Sequence, residues 1–226
     1  MLNFVNFSVL IKERLIVDNF SFLFEKGKFY TILGRSGSGK TTLFSVPFMD
    51  TKIKKMKYID VRGEVISLGK VVIIPQNPYR VLNPYIKIWK QTKNITGKHT
   101  VDFSRLLVAD STLNKYAYEI SDGTVMKILF SWCEAIQPDI IIADEINTYL
   151  DLWAQGKVLE ELERLKNEIG VTIIFITHNI SLTLNISDQI LVLDKGKLIE
   201  VIKNGEPFKS DIGKNLLYCA KWPEKI

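Results

Sequence analysis

The sequence predicts an α/β fold, a parallel sheet with helices on its faces and a ligand site at the carboxyl ends of its strands. Three observations predict it. Gly34-Arg35-Ser36-Gly37-Ser38-Gly39-Lys40-Thr41 fits the phosphate-loop pattern G-x-x-x-x-G-K-[ST] without mismatch. Short apolar runs, Val71–Ile74, Ile140–Asp144 and Val171–Thr177, read as buried parallel strands. Between and around them lie segments of helical periodicity.

In chain order, residues 1 to 33 read as β-rich. Phe20-Ser21-Phe22-Leu23-Phe24-Glu25 is strongly apolar, and turns are expected at Asp18-Asn19 and Lys26-Gly27. Lys28–Leu33 is a strand feeding the phosphate loop, and Thr42–Val46 opens a helix that Pro47 interrupts. Pro47 to Lys70 gives no regular reading beyond the apolar pair Val65-Ile66. Residues 79 to 119 read as loops and helices beside the main sheet. Val125, Ile128, Leu129, Trp132 and Ile136 repeat at helical spacing behind Ser121 as N-cap. Val158, Leu162, Leu165 and Ile169 mark a second amphipathic helix, with Glu160 and Arg164 expected to pair on its wet face and Gly170 ending it. Ile190–Leu193 and Leu198–Glu200 flank Asp194-Lys195-Gly196-Lys197 as a hairpin.

The 226 residues suit one domain carrying an inserted subdomain, and 46% hydrophobic content supports a large core. No apolar run approaches the ~20 residues that cross a bilayer. Met1 to Phe7 lacks a basic n-region and a cleavage site, so no signal peptide is expected. Cys133 and Cys219 form no disulfide or metal pattern, which fits a reducing cytosol. The net charge of +5 is scattered apart from Lys52 to Lys57, and that cluster has no interleaved aromatic platform. It reads as an ordinary solvated basic surface, and no nucleic-acid partner is expected.

The chemistry begins at the loop. Its glycines let backbone N–H groups surround a phosphate chain, and the following helix adds its positive end. Lys40 is placed to reach the β- and γ-phosphates, and the Thr41 hydroxyl to bind Mg²⁺. Asp144 and Glu145 end an apolar strand. Alone they need mean nothing more; with a phosphate loop upstream, Asp144 suits Mg²⁺ and Glu145 the polarisation of the attacking water. His178 follows the next strand, where a neutral imidazole can touch a γ-phosphate or orient that water. Gln76, just past a third strand, offers an amide oxygen to Mg²⁺ or to a water.

Together these residues resemble the ATP-binding subunit of ABC transporters over nearly the whole chain. Gly34 to Thr41 matches the Walker A loop, Gln76 the Q-loop, and Ile140 to Asp144 with Glu145 the Walker B strand and catalytic glutamate. Thr148-Tyr149-Leu150-Asp151 matches the D-loop and His178 the switch histidine. Pro75-Gln76-Asn77-Pro78 with Leu82-Asn83-Pro84 resembles the Q-loop region of the oligopeptide, dipeptide and nickel importer ATPases. The resemblance implies a P-loop NTPase core with an N-terminal antiparallel β subdomain and a small helical subdomain inserted at about residues 77–135. It implies ATP and Mg²⁺ as cofactors, with nucleotide held by Gly34, Arg35, Ser36, Gly37, Ser38, Gly39, Lys40, Thr41, Thr42, Gln76 and Ile11, and metal by Thr41, Gln76 and Asp144. Glu145 and His178 are the implied catalytic pair.

Two positions depart from the family. Where the signature Leu-Ser-Gly-Gly-Gln is expected, the chain has Ile120-Ser121-Asp122-Gly123-Thr124. Ser121, Asp122 and Gly123 are the implied contacts to ATP held by an opposite subunit, so Asp122 sets a carboxylate against a phosphate. Like charges in contact cost a few kcal/mol at an effective dielectric of ~20. At the adenine position an aromatic is usual, yet Ile11 aligns there, with Phe7 as the alternative ring. The expected function is ATP hydrolysis that energises a membrane importer of peptides, nickel or a metal–chelator complex, on the cytoplasmic membrane face. The implied partners are permease subunits, a second, different ATPase completing an asymmetric heterodimer and, indirectly, an extracytoplasmic binding protein. Tyr79, Arg80, Val81, Leu82 and Tyr85 are candidates for the permease contact, or for helical core in the case of Leu82. The alternatives are a regulatory subunit with weak turnover and a soluble non-transport ABC ATPase.

Overall fold

The computed structural model describes residues 1–49, 58–146 and 152–221. Two sheets form the frame. The first is antiparallel, in the order β2-β1-β4, from β1 (Leu2–Ile11), β2 (Arg14–Phe24) and β4 (Ile59–Ser67). The second has six strands in the order β5-β6-β7-β3-β8-β9. Its members are β3 (Phe29–Leu33), β5 (Val71–Ile74), β6 (Ile140–Asp144), β7 (Thr172–Thr177), β8 (Gln189–Asp194) and β9 (Lys197–Lys203). All pairs are parallel except the β8–β9 hairpin, which turns at Lys195 and Gly196, both at positive φ.

The central strands are apolar without interruption because both faces are covered. Residues alternate between two cores. Phe29, Ile141, Ala143, Ile173 and Phe175 face α4 (Asp122–Ile136) and α5 (Leu152–Ile169). Tyr30, Ile32, Ile140, Ile142, Ile174 and Ile176 face the antiparallel sheet and α1 (Lys40–Ser45). Phe4 anchors this second core, edge-on to Phe7, Phe20, Phe24 and Phe44 with centroids 5.3–6.1 Å apart. Between β5 and β6 the described chain carries short helices, α2 (Ile88–Thr96) and α3 (Asp110–Leu113), before α4. The final helix, α6 (Asp211–Lys221), covers the β8 end of the large sheet.

Four expectations change. Asp18-Asn19 lies inside β2, not at a turn; Asn19, at φ 50°, sits at a register shift, and the chain reverses at Lys12-Glu13 instead. The stretch before Lys70 holds a nine-residue strand, β4, that gave no apolar alternation because most of its side chains are exposed. Glu160 pairs with Lys157, not Arg164. Arg164 turns inward to the nearly buried Glu161, and also meets Glu134 and Glu168. Leu82 is buried in the core beside α4, so it cannot serve an exposed permease contact; Arg80, Val81 and Tyr85 are exposed. The Lys52–Lys57 cluster and Thr148-Tyr149-Leu150-Asp151 lie outside the described residues.

Candidate functional site

The phosphate loop leaves β3 at Leu33 and enters α1 at Lys40. Its glycines are required by space and by backbone. A Cβ on Gly34 would come within 2.4 Å of the Leu193 carbonyl and 2.5 Å of Ser38 Oγ. Gly39 caps α1 at φ 96°, and a Cβ there would meet the Ile16 carbonyl at 2.7 Å. The loop is therefore wedged between β8 and β2. Ser38 is buried and its carbonyl accepts from Gly196 N–H at 3.0 Å, while Arg35, Ser36 and Gly37 are exposed. Thr41 lies exposed on the first turn of α1, and Thr42 is half-buried beside it.

Lys40 is the buried cation of the site, 4% exposed. Its Nζ donates to the carbonyls of Gly34 (2.9 Å) and Arg35 (3.1 Å) and stands 3.7 Å from Glu145 Oε1. Burial pulls the Lys40 pKa down, with Glu145 and Asp144 pulling the other way. This is a charge held at a cost until an anion meets it.

Asp144 ends β6 and is 8% exposed. Its carboxylate lies near the Thr41 hydroxyl, and its Oδ1 is buried with no hydrogen-bond partner. Desolvation raises its pKa, Glu145 adds to the rise, and Thr41 and Lys40 oppose it. A buried carboxylate oxygen without a donor, next to a hydroxyl, is what a hard divalent cation requires.

Glu145 takes a left-handed backbone, φ 48°, which is uncommon for a residue other than glycine. Its N–H is held by the Ile176 carbonyl at 2.9 Å. The bend sends its side chain back over the sheet edge, between Lys40 Nζ and His178 Nδ1, which stands 3.8 Å from Oε2. His178 follows β7 and is exposed. The structure thus brings Lys40, Thr41, Asp144, Glu145 and His178 together. Gln76 stands two residues past the end of β5, the strand neighbouring β6, with its side chain exposed.

On the adenine side, Ile11 ends β1, half-buried, opposite Arg14 and Ile59. Phe7 is excluded as a substitute ring. It is 1% exposed and packed edge-on against Phe4. Sequence reasoning missed Ile16, whose carbonyl closes on Gly39 of the loop and on Gly196 of the β8–β9 turn. It acts through its backbone, so no side-chain pattern marks it; the glycines at 39 and 196 are the only trace.

Ser121, Asp122 and Gly123 stand at the exposed start of α4. Ser121 is the N-cap as predicted, its Oγ accepting from Thr124 N–H at 3.3 Å. Asp122 is exposed, and the Tyr79 hydroxyl donates to the neighbouring Ile120 carbonyl at 2.8 Å.

Comparison with known proteins gives the family. The pattern of the ABC transporter family matches residues 17–148, more than half of the chain. Among curated relatives, the oligopeptide transport ATP-binding protein OppF of Streptococcus mutans is 31% identical over 93% of this chain and 76% of its own length. AmiF of Streptococcus pneumoniae, of the same description, is 29% identical over 92% of this chain and 75% of its own. OppD of Bacillus subtilis is 27% identical over 87% of this chain, which spans only 63% of that protein. A dimeric structure of the ATP-binding cassette MJ0796 in a post-hydrolysis state, bound to ADP and Pi, superposes with a TM-score of 0.73 at 20% identity, over 92% of this chain and 100% of that one. The chain belongs to the ABC transporter family, as one of its ATPase cassettes.

Proposed function

We propose that this chain binds and hydrolyses ATP to energise a membrane importer of oligopeptides. The observation that carries the chemistry is the convergence of Lys40, from the start of α1, with Glu145 and His178, from the ends of β6 and β7, at 3.7 and 3.8 Å. Lys40 would exchange its two loop carbonyls for the β- and γ-phosphates, a stronger charge-assisted contact. Glu145, fixed by its left-handed backbone, is aimed to polarise a water, and His178 to orient that water or touch the γ-phosphate. Thr41, Asp144 and Gln76 would hold Mg²⁺, whose role is to neutralise charge on the phosphates. The orphaned Asp144 Oδ1 supports that assignment.

The cargo reading rests on the relatives, which are named as oligopeptide transport proteins; none of those names supports nickel or a metal–chelator complex. Residues 77–135 are read as the inserted helical subdomain. The permease would meet it near the segment after Gln76, where Arg80, Val81 and Tyr85 are exposed. No helix among the described residues is long and apolar enough to cross a membrane, so attachment would be peripheral, through permease subunits on the cytoplasmic face. With Asp122 and Thr124 in the signature positions, the chain is read as half of a heterodimer. A partner ATPase with a full signature would complete the site built on Lys40, Asp144, Glu145 and His178.

Glu145→Gln tests the catalytic assignment. ATP binding should persist while steady-state hydrolysis falls at least ~100-fold. Undiminished turnover in that variant contradicts the reading.

A further inference from the structure

The turn at residues 102–108 carries a conformational cost. Asp102 Oδ1 accepts from Ser104 N–H at 2.9 Å and starts it. Two bonds close it: Val108 N–H donates to the Phe103 carbonyl at 3.2 Å, and Leu107 N–H to the Ser104 carbonyl at 2.9 Å. That nested pair is the Schellman arrangement, which puts its fifth residue in the left-handed region and so favours glycine there. This chain has leucine, at φ 54°. The turn's own packing does not reward the choice, because Val108 is buried whereas Leu107 is 83% exposed. A residue held in a costly backbone with its apolar side chain in water is a candidate for function.

Leu107 lines a groove of about 500 Å³ between this turn, α4 and α5. Met126 and Phe130 from α4 and Val158 from α5 are its buried floor. Trp153 of α5 lines it too, 75% exposed. The charges in its walls are of two kinds. Arg105 and Arg164 are both bound to the nearly buried Glu161, at 3.1 and 2.8 Å, so neither offers a free charge. Lys127 and Lys157 differ. The Lys127 ammonium is exposed and forms no ion pair among the described residues. Lys157 Nζ lies 2.6 Å from Glu160 and 5.8 Å from the centre of the Trp153 ring. Both members of that ion pair are more than half exposed, so it is weak and yields readily to a better anion.

We propose that this groove is a binding site for a small amphipathic anion, with an apolar body and one sulfonate, carboxylate or phosphate head. The body lies on Met126, Phe130 and Val158, flanked by Leu107 and Trp153. The head meets Lys127 and Lys157. The volume falls within the ~300–1,000 Å³ of small-ligand sites. A neutral ligand would leave both ammoniums unused, and a cation would be repelled by them. Leucine at position 107 is then explained: its side chain covers ligand, and the backbone cost is the consequence. Gly123 is the one lining residue at the signature position, and none belongs to the phosphate loop. The site therefore does not depend on the ATPase reading.

Fluorescence titration of the purified chain with anilinonaphthalene sulfonate, an aromatic amphipathic anion, tests this, with Tm measured alongside. The wild type should bind one probe per chain, and monomeric dodecanoate should displace it. Leu107→Gly should weaken binding about five- to tenfold while Tm holds or rises, since glycine fits the left-handed position. Lys127→Glu should weaken binding at least fivefold at unchanged Tm, yet leave binding of the uncharged counterpart, phenylnaphthylamine, as it was. Wild-type affinity for the probe in both variants overturns the site. So does a Leu107→Gly protein that loses stability and keeps its affinity, because the leucine then only packs. Displacement by anionic vesicles but not by monomeric dodecanoate would make this face a membrane contact, and also overturns the proposal.

Discussion

Lys40→Met separates the two things this lysine does. In the protein alone, the substitution removes two hydrogen bonds to loop carbonyls, at 2.9 and 3.1 Å, worth about 1 kcal/mol each. It also removes an ammonium that is 4% exposed and whose pKa burial pulls down, a desolvation cost of several kcal/mol only partly offset by Glu145 at 3.7 Å. The opposing terms leave a net change within about 1 kcal/mol, or ~2–4 °C for a domain of this size. With ATP the balance differs. At 100 times Kd the nucleotide adds about 2.7 kcal/mol to the wild type, raising Tm by ~5–10 °C. Losing a charge-assisted phosphate contact of about 2 kcal/mol weakens Kd roughly 30-fold. At the same ATP concentration the variant should keep under 1 kcal/mol, a shift of only ~2–3 °C. Thermal unfolding of both proteins with and without Mg²⁺ and ATP reads all four values. A loss above about 3 kcal/mol without nucleotide, or an undiminished shift with it, refutes the reasoning.

Asp144→Asn should reveal a pH effect of definite sign. Because burial raises the folded pKa of Asp144 above its usual 3.8, its stabilising contribution is present below that value and is lost as pH rises through the folded pKa. Unfolding titrations should show the variant gaining on the wild type from acid toward neutral pH, while metal-dependent ATP binding is lost; a constant gap across pH contradicts the burial argument. Phe4→Ala should cost about 3–5 kcal/mol, since Phe4 is 1% exposed and touches four rings. One of those rings, Phe44, lies on α1, so ATP affinity should fall as well, and calorimetric binding measurements would expose an intact site. Asp122→Gly with Thr124→Gln should raise ATPase activity of the complex two- to threefold by restoring the signature; a loss of activity would show that the aspartate contributes to turnover.

The parallel sheet and its site were largely legible in the sequence, for a physical reason. Strands buried on both faces must be apolar throughout, so Val71–Ile74, Ile140–Asp144 and Val171–Thr177 stand out against polar surroundings. The residues proposed for phosphate chemistry then sit where those runs end. What escaped was structure carried by backbone or by exposed side chains. β4 is mostly exposed and shows no alternation, although it pairs along nearly the whole of β1. The reversal at Lys12-Glu13 uses two residues at φ 47° and 65° that no glycine advertises. The left-handed backbone of Glu145, which aims its carboxylate between Lys40 and His178, is equally silent in the sequence. Arg164 was misassigned because periodicity placed both Glu160 and Glu161 within reach and only burial chooses between them.

The claim that this cassette drives a membrane importer is tested most directly by affinity isolation of the tagged chain from detergent-solubilised membranes of its own cell, with the co-purifying proteins identified. The account predicts permease subunits together with a second, different ATPase. Recovery only from the soluble fraction, alone or with ribosomes or nucleic acid, would contradict it and point to a non-transport ATPase.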